Sequence, residues 1–253
     1  MVKICPLASG SKGNSLFLQT PQTKILIDVG LTCKEMEKRL AQINIECSQI
    51  DALLITHEHM DHIRGVKRLS ELYQIPVFCN AETAKGIFDQ TGQCEGFKIF
   101  STEESFEFKD LNVYPYSIQH DTLDPVAFRI KTNKLNIGIC TDLGIVTPIV
   151  QQQLQELDLL LLESNHEPSM VNACSRPRVY KERVLGRQGH LSNEECVKAL
   201  EKCKTPALKQ VFLAHLSQEC NNPELALKKA KEVLGSTLVD VAYQDRVSKV
   251  IEL

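Results

Sequence analysis

The chain has 253 residues, 43% of them hydrophobic, with 29 Lys and Arg against 32 Asp and Glu for a net charge of −3. That length supports a sizeable core, and the charge excludes a uniformly basic nucleic-acid coat, so an anionic partner has to be met by a local patch. No run of 18 apolar residues is present to span a membrane, and the opening "MVKICPLASGSKGNS" is too short and too polar for a signal peptide.

In chain order, "SLFLQT" and "KILID" read as strands joined by a turn at "PQ", and "DALLIT" as a third strand. Between them "CKEMEKRLAQI" has the apolar spacing of a helix with a charged outer face, and "HIRGVKRLSELY" reads as one helix. "SFEFKDLNVYPYSI" gives two strands. "AFRIKTNKLNIGICTD" gives two more around a "TNK" turn. "TPIVQQQLQELD" reads as a helix with Thr147 as cap and Pro148 in its first turn. "LLLLES" is a strand with no alternation, as expected of one buried on both faces. The last third alternates: a helix in "LSNEECVKALEKC" opening on the Ser192/Glu195 capping pattern, a strand in "QVFLAHLS", a helix in "NPELALKKAKEVLG" ending at Gly235, and strands in "LVDVAY" and "VSKVIEL". No repeat and no Gly-, Ser- or Pro-rich linker interrupts this pattern. The expectation is one α/β domain, residues 1–253, with two mixed β-sheets flanked by helices.

Ten cysteines are scattered along the chain and no C-x-x-C occurs. Structural zinc sites usually show close ligand pairs. Reduced thiols serving as small core residues in the cytoplasm are therefore expected.

The chemistry is concentrated in "LLITHEHMDHIRGV", residues 53–66. Three of the seven histidines and two carboxylates stand together after an apolar strand. Strand ends are where ligand groups converge in α/β proteins. His57, His59, Asp61 and His62 are ligand types that suit Zn, Mn, Fe or Co, while Glu58 and Met60 alternate outward. The competing reading is a solvated loop. Four ligands from six contiguous residues are awkward around one ion, and two ions are easier if further ligands arrive from elsewhere. His120 in "SIQHD", Asp142 in "GICTDLG" and His215 in "FLAHLS" each follow a strand and qualify. His166 takes no role in this reading.

The H-x-H-x-D-H motif, followed in order by a strand-end His, Asp and His, resembles the metallo-β-lactamase superfamily. "LIDVG" is similar to that superfamily's strand ending in a supporting Asp, here Asp28. The resemblance implies an αββα sandwich with a binuclear site. It implies two divalent ions, Zn or Mn: one on His57, His59 and His120, the other on Asp61, His62 and His215, with Asp142 bridging. "LASGSKGNS", "THEHMDHIRGV", "ESNHE", "GRQGHLSN" and "LAHLSQECNNPELA" together resemble the WalJ/YycJ (VicX-type) branch, which implies 5'-to-3' exonuclease activity on DNA. "GHLSNEECVKAL" is also similar to the His-containing segment of the tRNA 3'-processing ribonucleases. That likeness implies His190 as the acid that protonates the leaving group, with Glu163 beside it.

Hydrolysis of a phosphodiester needs a nucleophile at neutral pH, charge neutralisation and a protonated leaving group. Two metals about 4 Å apart supply a bridging hydroxide and a double Lewis acid. Asp61, His190 and Glu163 are accordingly read as catalytic, with His190 as general acid; a helix-cap or core histidine is the bland alternative for His190. Residues 175–190 carry Arg176, Arg178, Lys181, Arg183 and Arg187 against Glu182 alone. Of these, Arg176, Arg178, Lys181 and Arg183 are candidate phosphate contacts, with a solvated amphipathic helix as the alternative. In "SGSKGNS", Gly10 and Gly13 let the backbone approach a ligand, and Ser11 and Asn14 can donate to one; a turn between two strands is the alternative. A glyoxalase II-like thioester hydrolase and an RNA-processing nuclease of the same superfamily are the rival functions. The "GHLSN" segment and the basic cluster speak for phosphate chemistry.

Overall fold

The computed structural model describes residues 1–92, 94 and 96–253. They form two compact units. The first comprises Met1–Pro115, Thr122–Val126 and Ala242–Leu253, and the second Tyr116–Asp121 and Ala127–Val241. The chain changes unit within continuous sequence, so no linker composition announced the division.

The first unit is built on a seven-stranded mixed sheet of order β14-β1-β2-β3-β4-β5-β6. Its strands are β1 (Lys3–Ala8), β2 (Ser15–Gln19), β3 (Lys24–Ile27), β4 (Ala52–Leu54), β5 (Val77–Cys79), β6 (Phe97–Ile99) and β14 (Ile251–Glu252). β1, β2 and β3 are antiparallel neighbours, and β3 to β6 run parallel. The helices are α1 (Cys33–Ala41), α2 (Met60–Ile63), α3 (Val66–Tyr73) and α4 (Ala81–Thr91). Leu7, Phe17, Leu26, Leu53 and Val77 of the sheet share one buried cluster with Met36 and Leu40 of α1, Val66 and Leu69 of α3 and Ile87 of α4. The apolar face of each amphipathic helix is thereby removed from water.

A hairpin of β7 (Phe106–Phe108) and β8 (Leu111–Ser117) pairs Phe106 with Val113. The second unit contains β9 (Val126–Lys131) from Ala127 onward, β10 (Asn136–Cys140), β11 (Leu159–Glu163), β12 (Gln210–Ala214) and β13 (Leu238–Val241). Its strands follow the order β13-β12-β11-β10-β9, with β10 to β13 parallel and β9 antiparallel to β10. All five residues of β11 are buried, which is why "LLLLE" shows no alternation. Its helices are α5 (Pro148–Gln153), α6 (Pro168–Ala173), α7 (Arg178–Leu185), α8 (Asn193–Cys203) and α9 (Pro223–Leu234). The Thr147 side chain accepts from Val150 N and that of Ser192 from Glu195 N, as their positions in the sequence suggested.

The structure differs from the sequence reading in four places. "HIRGVKRLSELY" is two helices, because Gly65 N donates to Val29 O and the chain turns there. The helix after Thr147 ends at Gln153. "VSKVIEL" contributes only Ile251–Glu252, which pair with Ile4 and Lys3. The strands β1, β5 and β6 and the helices α4 and α6 had no counterpart in the sequence reading; β5 and β6, at three residues each, are too short to show a period.

Among the described residues no helix is long and apolar enough to cross a membrane. All ten cysteines are unbridged, and only Cys33 and Cys174 are not buried.

Candidate metal centre

In the first unit, β4 delivers the histidine-rich segment. His59 is the N-cap of the single-turn α2, and Asp61 and His62 lie within that turn. The His57 ring centroid is 5.0 Å from that of His59 and 4.0 Å from that of His62, and Asp61 Oδ2 is 3.8 Å from His62 Nε2. Just past β3, Asp28 turns back with φ 60°, a left-handed conformation that is uncommon for a non-glycine residue. That turn places its carboxylate against the segment. Thr56 N donates to Asp28 Oδ1 at 2.9 Å, the Thr56 hydroxyl donates to Oδ2 at 2.9 Å, and His62 Nδ1 donates to Oδ2 at 2.8 Å. Having given its proton to Asp28, the Thr56 oxygen accepts from His57 Nδ1 at 2.9 Å.

Met60 is exposed, as alternation suggested. Glu58 is the correction: it is buried, and its Oε1 accepts from Leu123 N at 2.8 Å. The loop is not an ideal strand, so period-2 reasoning failed there.

In the second unit, Asp142 follows β10 and His215 follows β12, and both are left-handed, with φ 60° and 54°. Backbone strain of this kind clusters at functional sites. Asp142 Oδ1 lies 3.3 Å from His215 Nδ1, 3.8 Å from His190 Nδ1 and 4.0 Å from His120 Nε2. Asp142, Glu163, His190 and His215 each offer a ligand atom within 4.8 Å of the others.

Glu163, fully buried at the end of β11, organises this group. Its Oε1 accepts from His190 Nδ1 and from His215 Nδ1, both at 2.9 Å. Its Oε2 accepts from Leu143 N at 2.9 Å and Leu191 N at 3.1 Å. Burial alone would raise its pKa, but the charge of His190 and the hydrogen bonds from both histidines outweigh burial and hold the carboxylate ionised. A network that sequence reasoning missed supports the same segment. Asn165 Nδ2 donates to His215 O at 2.6 Å, and Asn221 Nδ2 donates to the carbonyls of Ser164 and Asn165. The signal was available as Asn residues in "ESN" and "ECNN", but only tertiary burial distinguishes such residues from turn formers. His166 is buried, and desolvation pulls its pKa down to about 4.

The residues expected in contact with substrate divide. Ser11 is exposed, whereas Asn14 is buried with its amide committed to other protein groups. Among the basic residues, Arg176 pairs with Glu219 at 2.8 Å, Arg178 with Glu182 at 2.6 Å and Arg183 with Asp121 at 2.6 Å, while Lys181 Nζ donates to Asn172 O at 2.7 Å. These partners lie at the solvent-exposed surface.

The donor set fits metal. His57, His62, His120 and His215 each have Nδ1 engaged: on Thr56, on Asp28, on Gly189 O at 3.2 Å and on Glu163. Each acceptor assigns the proton to Nδ1 and makes Nε2 the nitrogen with a lone pair, which is how protein-held metal ligands are oriented. Carboxylates with imidazoles suit divalent transition metals.

A family model described as "Beta-lactamase superfamily domain" matches residues 23–216. Exodeoxyribonuclease YycJ of Bacillus anthracis is 32% identical over 230 residues, 90% of this chain and 87% of that protein. Exodeoxyribonuclease WalJ of Streptococcus pneumoniae serotype 2 is 34% identical over 224 residues, 87% of this chain and 83% of that protein. The chain belongs to the β-lactamase superfamily, in the YycJ/WalJ family. The metallo-β-lactamase fold protein YhfI of Bacillus subtilis superposes with a TM-score of 0.76 at 16% identity, over 98% of this chain and 100% of that one. The expected fold class, two mixed sheets with flanking helices, is thus borne out. Membership of this metallo-hydrolase superfamily and the His/Asp clusters make the chain a metal-dependent hydrolase.

Proposed function

We propose that this member of the YycJ/WalJ family is a binuclear exodeoxyribonuclease of the 5'-to-3' type, acting in the cytoplasm. The observation that carries the reading is the shared orientation of His57, His62, His120 and His215, each fixed through Nδ1 with Nε2 as the coordinating nitrogen. The names of the two relatives supply the substrate, and the unbridged cysteines fit a reducing compartment.

In this reading His57, His59 and His120 would hold one ion and Asp61, His62 and His215 the other, with Asp142 serving both. When bound, two Zn or Mn ions neutralise phosphoryl charge and acidify the attacking water. The rest falls to the protein. Glu163 holds His190 by Nδ1, so His190 has Nε2 with which to protonate the departing oxygen. Arg176, Arg178, Lys181 and Arg183 exchange their surface partners for backbone phosphates, which positions a strand without reading its sequence.

The test is a substrate panel on protein loaded with Mn or Zn, comparing 5'-phosphorylated duplex DNA, single-stranded DNA, RNA, a small phosphodiester and a glutathione thioester. Processive loss of nucleotides from 5' ends of DNA is expected. Turnover of the thioester or of RNA in preference to DNA overturns the proposal.

A further inference from the structure

The loop "SGSKGNS" joins antiparallel β1 and β2, and its Asn14 is only 6% exposed. A buried amide has to be satisfied, and the partners of this one are specific. Asn14 Oδ1 accepts from Gly10 N at 2.7 Å, which settles the orientation of the amide. Nδ2 is then the donor, 3.2 Å from Asp61 Oδ2, 3.4 Å from Asp61 O and 2.9 Å from His62 Nε2. His62 Nδ1 carries its proton toward Asp28, so Nε2 meets the amide with its lone pair.

The backbone of Asn14 is tied to the same place. Its N–H donates to Asp61 O and its carbonyl accepts from Gly30 N, both at 2.8 Å. Gly30 is required here, since a Cβ would overlap Asp61 O and Asn14 N. The loop is thus welded to the segment bearing Asp61 and His62, with the amide hydrogens aimed at the two side-chain atoms that segment offers.

We propose that Asn14 is a positioning residue for one of the two metal ions: its amide sets the rotamer of the Asp61 carboxylate, while its contact with His62 Nε2 has to give way when an ion takes that lone pair. The inference rests on the binuclear reading above. Asp61 is on a one-turn helix and its side chain is 21% exposed, so its carboxylate has rotamers to lose. The amide donor removes that freedom before an ion arrives. Groups that orient ligands in this way are typically worth 10–100-fold in metal affinity.

Two variants separate this role from simple anchoring of the loop. Asn14→Ala removes both functions. Asn14→Asp retains an oxygen for Gly10 N but replaces the donor with a carboxylate facing Asp61. Metal dissociation constants, measured by chelator competition with Mn and with Zn, are the readout, together with the melting temperature of metal-free protein. The expected result is a 10–100-fold weakening of one of the two ions in both variants, with the other ion within about twofold. Unchanged or tighter binding of both ions in Asn14→Asp overturns the inference. So does equal weakening of both ions together with a lowered melting temperature, which marks a purely structural residue. A parent protein that binds fewer than two ions overturns the binuclear reading instead.

Discussion

Glu163 Oε1 accepts from His190 Nδ1 at 2.9 Å, and the same oxygen receives His215 Nδ1 at the same distance. One carboxylate oxygen therefore fixes the tautomer and the direction of two imidazoles with different proposed tasks. The other oxygen, through Leu143 N and Leu191 N, fixes the backbone beside Asp142 and His190.

This shared support separates two substitutions. His190→Ala is expected to slow turnover by about 10²–10⁴-fold while both ions stay bound. Glu163→Gln is expected to slow turnover as well and also to weaken metal by about 10–100-fold, because a neutral amide has a single acceptor oxygen and cannot serve both the two imidazoles and the N–H groups of Leu143 and Leu191. Steady-state kinetics beside metal analysis of the dialysed proteins check the pair. Full metal retention in Glu163→Gln would show that His215 does not depend on Glu163.

Asp142 is the proposed bridge, held in a left-handed turn among three histidines. Asp142→Ala is expected to leave no more than one tightly held ion per chain. Elemental analysis after gel filtration reads this directly, and two ions remaining would remove Asp142 from the bridging role.

His166 gives a pH dependence whose sign follows from its burial. Desolvation lowers its pKa to about 4, with Glu163 and Glu167 pulling upward and His190 downward. The folded state therefore binds fewer protons than the unfolded one between about pH 6.5 and pH 4. The stability from neutral His166 is fully present above that window and is lost as pH falls through it, by about 2 kcal/mol between pH 7 and pH 5. Urea unfolding of metal-free parent and His166→Phe proteins at the two pH values measures it. The parent should lose that much more than the variant, and equal losses would show that His166 is accessible to protons when folded.

Burial pushes the thiols of Cys5, Cys47, Cys79, Cys140 and Cys196 up to about 12 and those of Cys203 and Cys220 to about 11. Reactivity follows the exposed thiolate. Of the ten thiols, Cys33 and Cys174 are therefore expected to react first with a thiol reagent in the native state, and the eight buried ones only on unfolding. Time-resolved counting of free thiols with mass mapping checks the order.

Much of the candidate site was legible in the sequence. H-x-H-x-D-H is a local pattern, and a strand followed by a ligand residue is visible wherever the strand is long enough to read, as before His120, Asp142 and His215. The supporting groups were less legible. Glu163 was placed beside His190 only by the resemblance, without its tie to His215, and Asn14 looked like a loop donor open to substrate. Glu58 was placed outward by an alternation that a loop does not obey. The basic residues of α7 were visible as a cluster, but their partners Asp121 and Glu219 are distant in sequence.

The sequence by itself determined the element alternation, the two mixed sheets, the ligand types and the superfamily, because periodicity, strand ends and contiguous motifs are local properties of the chain. Only the tertiary structure decided which nitrogen of His57, His62, His120 and His215 carries the proton, that Glu163 serves two imidazoles, and that the Asn14 amide faces inward to Asp61 and His62. Those facts depend on hydrogen bonds between residues tens of positions apart, and on burial that forces each polar group to find a partner.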